Sequence, residues 1–347
     1  MKKTLAALIV SAFAASAANA AVVYDNEGTK VELNGSLRLI LEKADAKKYD
    51  AVGNSTKTAN SALRNAGSRF GITVKHNLDN DFYALGRLES RFDDTESRDQ
   101  FGSLYAKRAY VGLGSKATGD ITFGRQLTIA DDLTQANDYE YGFIPKGKYI
   151  PTSGTGVVRY DYKGIEGLQL SANYNFGQTN DEKGNPLKPG IKNAYAVGAL
   201  YTAGDLDARF AYGHTSFETD ASYKHRLDGF LASLGYKFGD FTLTGDFAYG
   251  HEKFDDEKTN KFYVAPGFAY QVLPASKVYG NYLYERVKGE NTKDKTHGFL
   301  LGADYQLHKQ VVVFLEGKYV TTKSYVNDAY DGKVKDRAIG VGMRVFF

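Results

Sequence analysis

From residue 31 onward the chain is written largely in a period of two. In GVGMRVFF and the residue before it, Ile339, Val341, Met343, Val345 and Phe347 form one row, and Gly340, Gly342, Arg344 and Phe346 the other. FTLTGDFAY (241–249) separates Phe, Leu, Gly, Phe and Tyr from Thr, Thr, Asp and Ala. LQLSANYNF (168–176) and VELNGSLRLILE (31–42) divide in the same way. Alternation of this kind predicts β-strands whose two faces meet different surroundings. The chain carries sixteen such segments, each roughly ten residues, the length of a tilted strand crossing a bilayer.

The connections alternate in length. LDND (78–81), TAGD (202–205), FGD (238–240), LPAS (273–276) and LHK (307–309) are short. Residues 43–61, 177–192, 214–225, 251–260, 286–295 and 321–336 read as long, polar, charged loops. Short turns on one rim and long loops on the other predict a 16-stranded antiparallel transmembrane β-barrel. An even strand count places both termini on the short-turn side, and no linker or composition shift divides the chain.

A soluble sandwich also alternates, so the contents of the two rows decide the class. The apolar rows carry Tyr160, Tyr162, Tyr174, Phe176, Tyr236, Phe238, Tyr282 and Tyr284 near segment ends. Tyrosine suits the level where hydrocarbon meets water. Tryptophan, expected at the same level, is absent. The opposite rows carry Arg38, Arg69, Arg87, Glu89, Arg108, Asp246, Glu316 and Arg344 in mid-strand. Such charges belong in a water-filled lumen, which a barrel of this strand number is wide enough to hold. In hydrocarbon every backbone polar group needs a partner. The last strand must therefore pair with the first, near 31–42, with Phe347 on the lipid face at the short-turn rim.

The N-terminus changes the compartment. MKK is a basic region, TLAALIVSAFAAS is too short for a membrane span, and ANA at Ala18 to Ala20 fits a cleavage site. Residues 1–20 are expected to be a cleaved signal peptide, and 21–347 the barrel. There is no cysteine, hence no disulfide, thiol nucleophile or thiolate metal site. The formal charge of +3 falls to +1 without Lys2 and Lys3, which argues against nucleic acid as a partner.

SRFGITVKHNLDNDFYALGRLESRF, KRAYVGLGSKATGDITFGRQLTIADDLTQANDYEYG and the final RVFF resemble the general-diffusion porins of Gram-negative outer membranes. The likeness is strongest to the major trimeric porin of the Haemophilus–Pasteurella group. It spans the chain, with SRFG (68–71), RAYVGLG (108–114) and GRQ (124–126) as its most specific motifs. It implies a homotrimer in outer-membrane lipid and lipopolysaccharide. Each barrel would pass ions and small hydrophilic solutes through a pore narrowed by its third long loop. The terminal Phe resembles the signal read by barrel-assembly machinery.

The longest connection is 127–155, and loops of that length are usually functional. In the porins it folds into the lumen opposite an arginine cluster. Carried over, the acidic side is Asp138 and Glu140, with Asp131 and Asp132 as further loop acids. The basic side is Arg69 and Arg108 from the two motifs, with Arg38 and Arg87 sharing the lumen-facing parity. Arg125 has lipid-side parity unless a bend at Gly124 turns it inward. Lys146 and Lys148 lie on the return limb. The loop lacks the Pro-Glu-Phe-Gly-Gly motif of the enterobacterial porins. Opposed charges would set a transverse field that aligns small polar solutes and biases ion selectivity, slightly toward anions. Losing an arginine is expected to widen the passage and shift selectivity toward cations.

Other chemistry finds little support. GLGSKATG (112–119) lacks the helix that a phosphate loop needs. His76, His214, His225, His251, His297 and His308 show no metal-ligand spacing, and no GxSxG occurs. No metal, cofactor or enzymatic activity is expected, although a Ser-His-acid site built across strands is defined by geometry rather than by motif. Two alternatives to a passive pore remain. A solute-specific channel would need an aromatic track in the lumen, whereas most aromatics have lipid-side parity. A plugged, adhesive barrel would use its outer loops alone.

Overall fold

The computed structural model describes residues 20–93, 101–220 and 223–347. The residues expected to form the signal peptide lie outside it, apart from Ala20. All strands belong to one antiparallel sheet that closes on itself as a 16-stranded barrel. Three of its staves are made of two pieces, one of them at the closure of the barrel. Ser55–Asn65 and Arg69–Asn77 lie end to end along Thr29–Asp50. Leu168–Asn175 and Gln178–Asn180 both border Pro186–Ala203, the short piece through its first residues.

Closure joins the two ends of the chain. Ala329–Phe346 pairs with the upper part of Thr29–Asp50 from Phe346↔Ser36 to Gly332↔Asp50. The main chains of Gly35 and Phe347 exchange hydrogen bonds of 2.8 and 3.1 Å. A β-carbon at residue 35 would overlap the Phe347 ring, so Gly35 makes room for the terminal side chain. Below this point Ala21–Asn26 takes over the same edge, pairing with residues 29–33. No polar edge is left where the last strand stops, as a sheet in hydrocarbon requires.

The rows sort as the alternation predicts. Ile339 and Val341 are 55% and 56% exposed on the outer face, while Gly340 and Gly342 are buried inside. Leu41, Leu63, Val111, Phe210, Leu234, Phe299 and Leu301 continue the outer apolar surface. An apolar surface this extensive is stable against lipid and would aggregate in water.

The long connections differ from the sequence expectation. Thr29–Asp50 runs for 22 residues and turns at 51–54 into Ser55–Asn65. Phe241–Phe254 meets Glu257–Leu273, and Val311–Val326 meets Ala329–Phe346, across two-residue turns. Much of what reads as loop is therefore ladder projecting past the apolar band. Beyond the band both faces are polar, so the alternation vanishes while the backbone pairing continues.

The 127–155 connection behaves otherwise. Its non-strand part, 128–152, carries two short 3-10 turns, Ile129–Leu133 and Lys146–Lys148, and folds inward against the wall. Ile129, Ala130, Leu133, Tyr149 and Ile150 are buried with Ala196, Ala211, Leu231, Ala248, Tyr263, Ala265 and Leu283 of the barrel. Small residues pave this part of the wall. A β-carbon at Gly229 would overlap the Tyr149 carbonyl oxygen, so only glycine lets the loop lie flush there.

Candidate functional site: charged faces of the lumen

Two buried wall carboxylates fix the path of the loop. Asp246 accepts hydrogen bonds from the main-chain N–H groups of Gln135 and Ala136 at 2.9 and 3.0 Å. Glu316, fully buried, accepts from the N–H groups of Tyr139, Glu140 and Tyr141 at 2.7, 2.8 and 2.7 Å. The Tyr279 hydroxyl also donates to Glu316, at 2.6 Å. Consecutive main-chain donors on one carboxylate make a charge-assisted clamp, each bond about 1.5–3 kcal/mol. The Tyr139 ring stacks on Phe314 at 4.7 Å and its hydroxyl donates to Asp304 at 2.7 Å. Burial first, then this carboxylate, holds the Tyr139 hydroxyl well above the usual tyrosine range.

Beside the clamped segment lies a band of arginines assembled by strand register, and Arg344 donates to the Tyr139 carbonyl. Arg344 stands directly across from Arg38, Arg69 from Arg91, and Glu89 from Arg108. Ser36 faces Arg69 and carries the band between the first two staves. Arg38, Arg69, Arg91 and Arg344 line a polar hollow of about 180 Å³ together with Tyr139 and Glu140. Glu89 is the band's carboxylate, held by Arg91 at 2.6 Å and Arg87 at 2.8 Å, with Arg108 at 3.9 Å. The Nε atoms of Arg87, Arg108 and Arg344 are buried without a hydrogen-bond partner among the described residues.

The acids named from sequence are spread along the loop. Glu140 faces the band, 2.7 Å from Arg64 and 4.0 Å from Arg344. Asp138 is exposed, with its carboxylate packed over Gly142. Asp131 pairs with Lys146 at 3.1 Å. Asp132 pairs with Arg159 at 2.7 Å, and Arg209 donates to its carbonyl at 2.8 Å. Burial raises the Asp132 carboxyl against the pull of Arg159. These two acids are thus tied to the start of the loop through Lys146 and Arg159. Lys148 pairs with Glu285 at 3.1 Å. Arg125 follows the bend at Gly124 (φ 132°) and donates to the carbonyls of Ala106 and Glu182 at 2.9 and 3.1 Å, outside the band.

Sequence reasoning left Arg64, Arg91 and Arg159 out of account and did not assign Arg344 to the site. Arg91 had a signal, since Arg87, Glu89 and Arg91 form one period-two row in GRLESRF. Arg344 became visible only once the last strand closed on the first. The roles of Asp246 and Glu316 had no signal beyond lumen parity. Among the described residues no group of His, Cys, Asp and Glu side chains is placed to hold a metal ion.

With this geometry in view, the kinship is decided by whole-chain comparison. A profile of the Gram-negative porin family matches residues 4–325. The major outer membrane protein of Pasteurella multocida strain Pm70 is 32% identical over 374 residues, covering 100% of both chains. Among solved structures, a loop L8 deletion mutant of OmpT from Vibrio cholerae superimposes with a TM-score of 0.71 at 19% identity. It covers 92% of this chain and 100% of its own. A trimer form of OmpT gives 0.69 at 19% identity, covering 92% and 100%. An anion-selective porin from Comamonas acidovorans gives 0.65 at 18% identity, with the same coverage.

The chain belongs to the Gram-negative porin family. It forms a water-filled diffusion channel in the outer membrane, and its family marks it as a channel rather than an enzyme.

Proposed function

We propose that the 127–155 loop narrows this channel to an eyelet and that the eyelet favours small anions. The basic side is Arg38, Arg69, Arg91 and Arg344, with Arg87 and Arg108 around Glu89 beside them. The acidic side is Glu140 and Asp138. Asp131 and Asp132 steady the loop through Lys146 and Arg159. One observation carries the reading: directly opposed arginines, Arg38 with Arg344 and Arg69 with Arg91. Like charges facing each other across a sheet are destabilising. Charges kept inside a membrane protein at such a cost are usually functional. Focused by low-dielectric walls, the band raises the local concentration of anions.

In this reading residues 1–20 are a cleaved export signal. The mature chain assembles as a homotrimer, as the OmpT trimer form does. The long-hairpin rim faces outward into lipopolysaccharide, and flux of small hydrophilic solutes follows the concentration gradient.

The test is the reversal potential of single channels in a planar bilayer under a salt gradient. Anion preference is expected in the native protein. The Arg38→Gln/Arg69→Gln double variant should move the potential toward cations, with conductance equal or higher. A native channel preferring cations, or a variant with an unmoved potential, refutes the assignment.

A further inference from the structure

The outer face carries a constellation that a diffusion channel does not use. Register sets His214 against Asp228, and Ser216, two residues along the same row, against Arg226. Residues two apart on a strand, and residues directly opposed, share a face. All four therefore point outward with Phe210 and Phe230, which are exposed on the apolar band. The His214 Nδ1 lies 2.8 Å from the Asp228 carboxylate, and its Nε2 lies 3.2 Å from the Ser216 hydroxyl.

The carboxylate settles the tautomer. An ionised carboxylate only accepts hydrogen bonds, so Nδ1 carries the proton and Nε2 is left to accept from the Ser216 hydroxyl. That is the order nucleophile, base, orienting acid. Tyr212 also donates to Asp228, at 2.8 Å. The Tyr195 ring stacks on His214 with centroids 5.3 Å apart, so the imidazole is held on its face as well as at its edge. The other histidines are placed differently. His251 bonds Asn260 at 2.8 Å and His297 bonds the Tyr282 hydroxyl at 2.7 Å. Among the described residues no other histidine bridges a carboxylate and a hydroxyl.

The surroundings suit an amphiphilic ester. On one side of Ser216 the outward surface is apolar, with Val197, Phe210, Tyr212 and Phe230 exposed. On the other side it is basic. Lys224, Arg226, Lys253, Asp255 and Asp256 line a hollow of about 280 Å³, in which three cations outnumber two acids. Arg226 stands directly opposite Ser216, and opposed β-carbons are about 5 Å apart. Its guanidinium is therefore within reach of an oxyanion formed at Ser216.

We propose that Ser216 and His214, positioned by Asp228, cleave the acyl esters of anionic glycerophospholipids. The acyl chain lies along Phe210 and Phe230, and the phosphate lies toward the basic hollow. Ser216 gives its proton to His214 Nε2 as Oγ bonds the carbonyl carbon and the carbonyl electron pair moves to oxygen, facing Arg226. Collapse breaks the bond to the glycerol oxygen, which takes the proton from Nε2. Water then attacks the acyl-serine and gives its proton to Nε2, which returns it to Ser216 as the fatty acid leaves. One water is consumed, and a fatty acid and a lysophospholipid are released. This activity is independent of the eyelet.

The experiment incubates purified protein with phosphatidylglycerol in neutral-detergent micelles and measures released fatty acid. A parallel sample is treated with a long-chain sulfonyl fluoride and mapped by mass spectrometry. The native protein should release fatty acid and carry the sulfonyl group on Ser216. Phosphatidylcholine should be cleaved roughly tenfold more slowly, for want of a net negative headgroup. Ser216→Ala should lower release about a hundredfold or more, with single-channel conductance unchanged. Asp228→Asn should lower kcat with KM held, and Asp228→Glu should restore part of the loss. No release by the native protein, or a label found elsewhere than on Ser216, refutes the site. Release that survives in Ser216→Ala made the same way belongs to a contaminant and also refutes it. Equal cleavage of phosphatidylcholine overturns the headgroup assignment. Labelling uses unaltered protein, so it decides even if a variant fails to fold.

Discussion

The lumen holds buried charge in two styles. On the wall beneath the loop, Asp246 and Glu316 are saturated by consecutive main-chain N–H groups. Beside the clamped segment, arginines face arginines, and the Nε atoms of Arg87, Arg108 and Arg344 lack hydrogen-bond partners among the described residues. Both sets are intramembrane charges on lumen-facing rows, yet they do opposite things. A carboxylate whose lone pairs are filled by one loop stabilises a shape and projects little field. Guanidinium groups in excess of their carboxylates project a field and stabilise little. The channel needs the first to hold the loop in place and the second to act on what passes it.

The largest expected effect comes from breaking the clamp. Glu316→Ala removes the acceptor of three loop N–H groups and of Tyr279, at about 1.5–3 kcal/mol per charged bond. Single-channel recordings should show a larger, noisier conductance, with the barrel still folded by heat-modified gel mobility. A quiet channel of native size would mean that the apolar contacts of Ile129, Leu133 and Ile150 hold the loop alone.

Gly229→Val attacks the same element by steric means, since its side chain would collide with the Tyr149 carbonyl. The expected result is a smaller rise in conductance and faster protease cleavage within 128–152. Unchanged cleavage would count against flush packing at this point.

A third change sharpens the charge comparison. Glu140→Gln removes the carboxylate facing Arg64 and Arg344 without changing its size. Anion preference should increase, measured as a reversal-potential shift of a few millivolts to about ten millivolts in a tenfold gradient, an order of magnitude set by loss of one charge near a focused field. A shift toward cations would invert the assignment of sides.

The smallest effect is expected at Asp131. Asp131→Asn loosens its pair with Lys146 at the start of the loop. Selectivity should stay within error, with stability lowered by no more than about 1 kcal/mol, as for a part-exposed ion pair. A selectivity change as large as that of Glu140→Gln would bring this acid into the eyelet after all.

The sequence by itself determined the sheet, its two faces and its closure. Period-two rows such as Ile339–Phe347 state which side of each strand meets lipid, because a strand has only two sides. The terminal strand had to find the first because hydrocarbon leaves no unpaired edge. The parity of Arg38, Arg69, Arg87 and Arg108 was legible for the same reason. Tertiary structure alone decided which charges meet. Alternation fixes a face but not a height, and cross-strand register sets the height. Register put Arg344 against Arg38 and Arg91 against Arg69, and on the outer face it set His214 against Asp228. The loop was the least legible part. It has no period, and its path follows from Asp246, Glu316 and glycines such as Gly229, supplied by strands far along the chain.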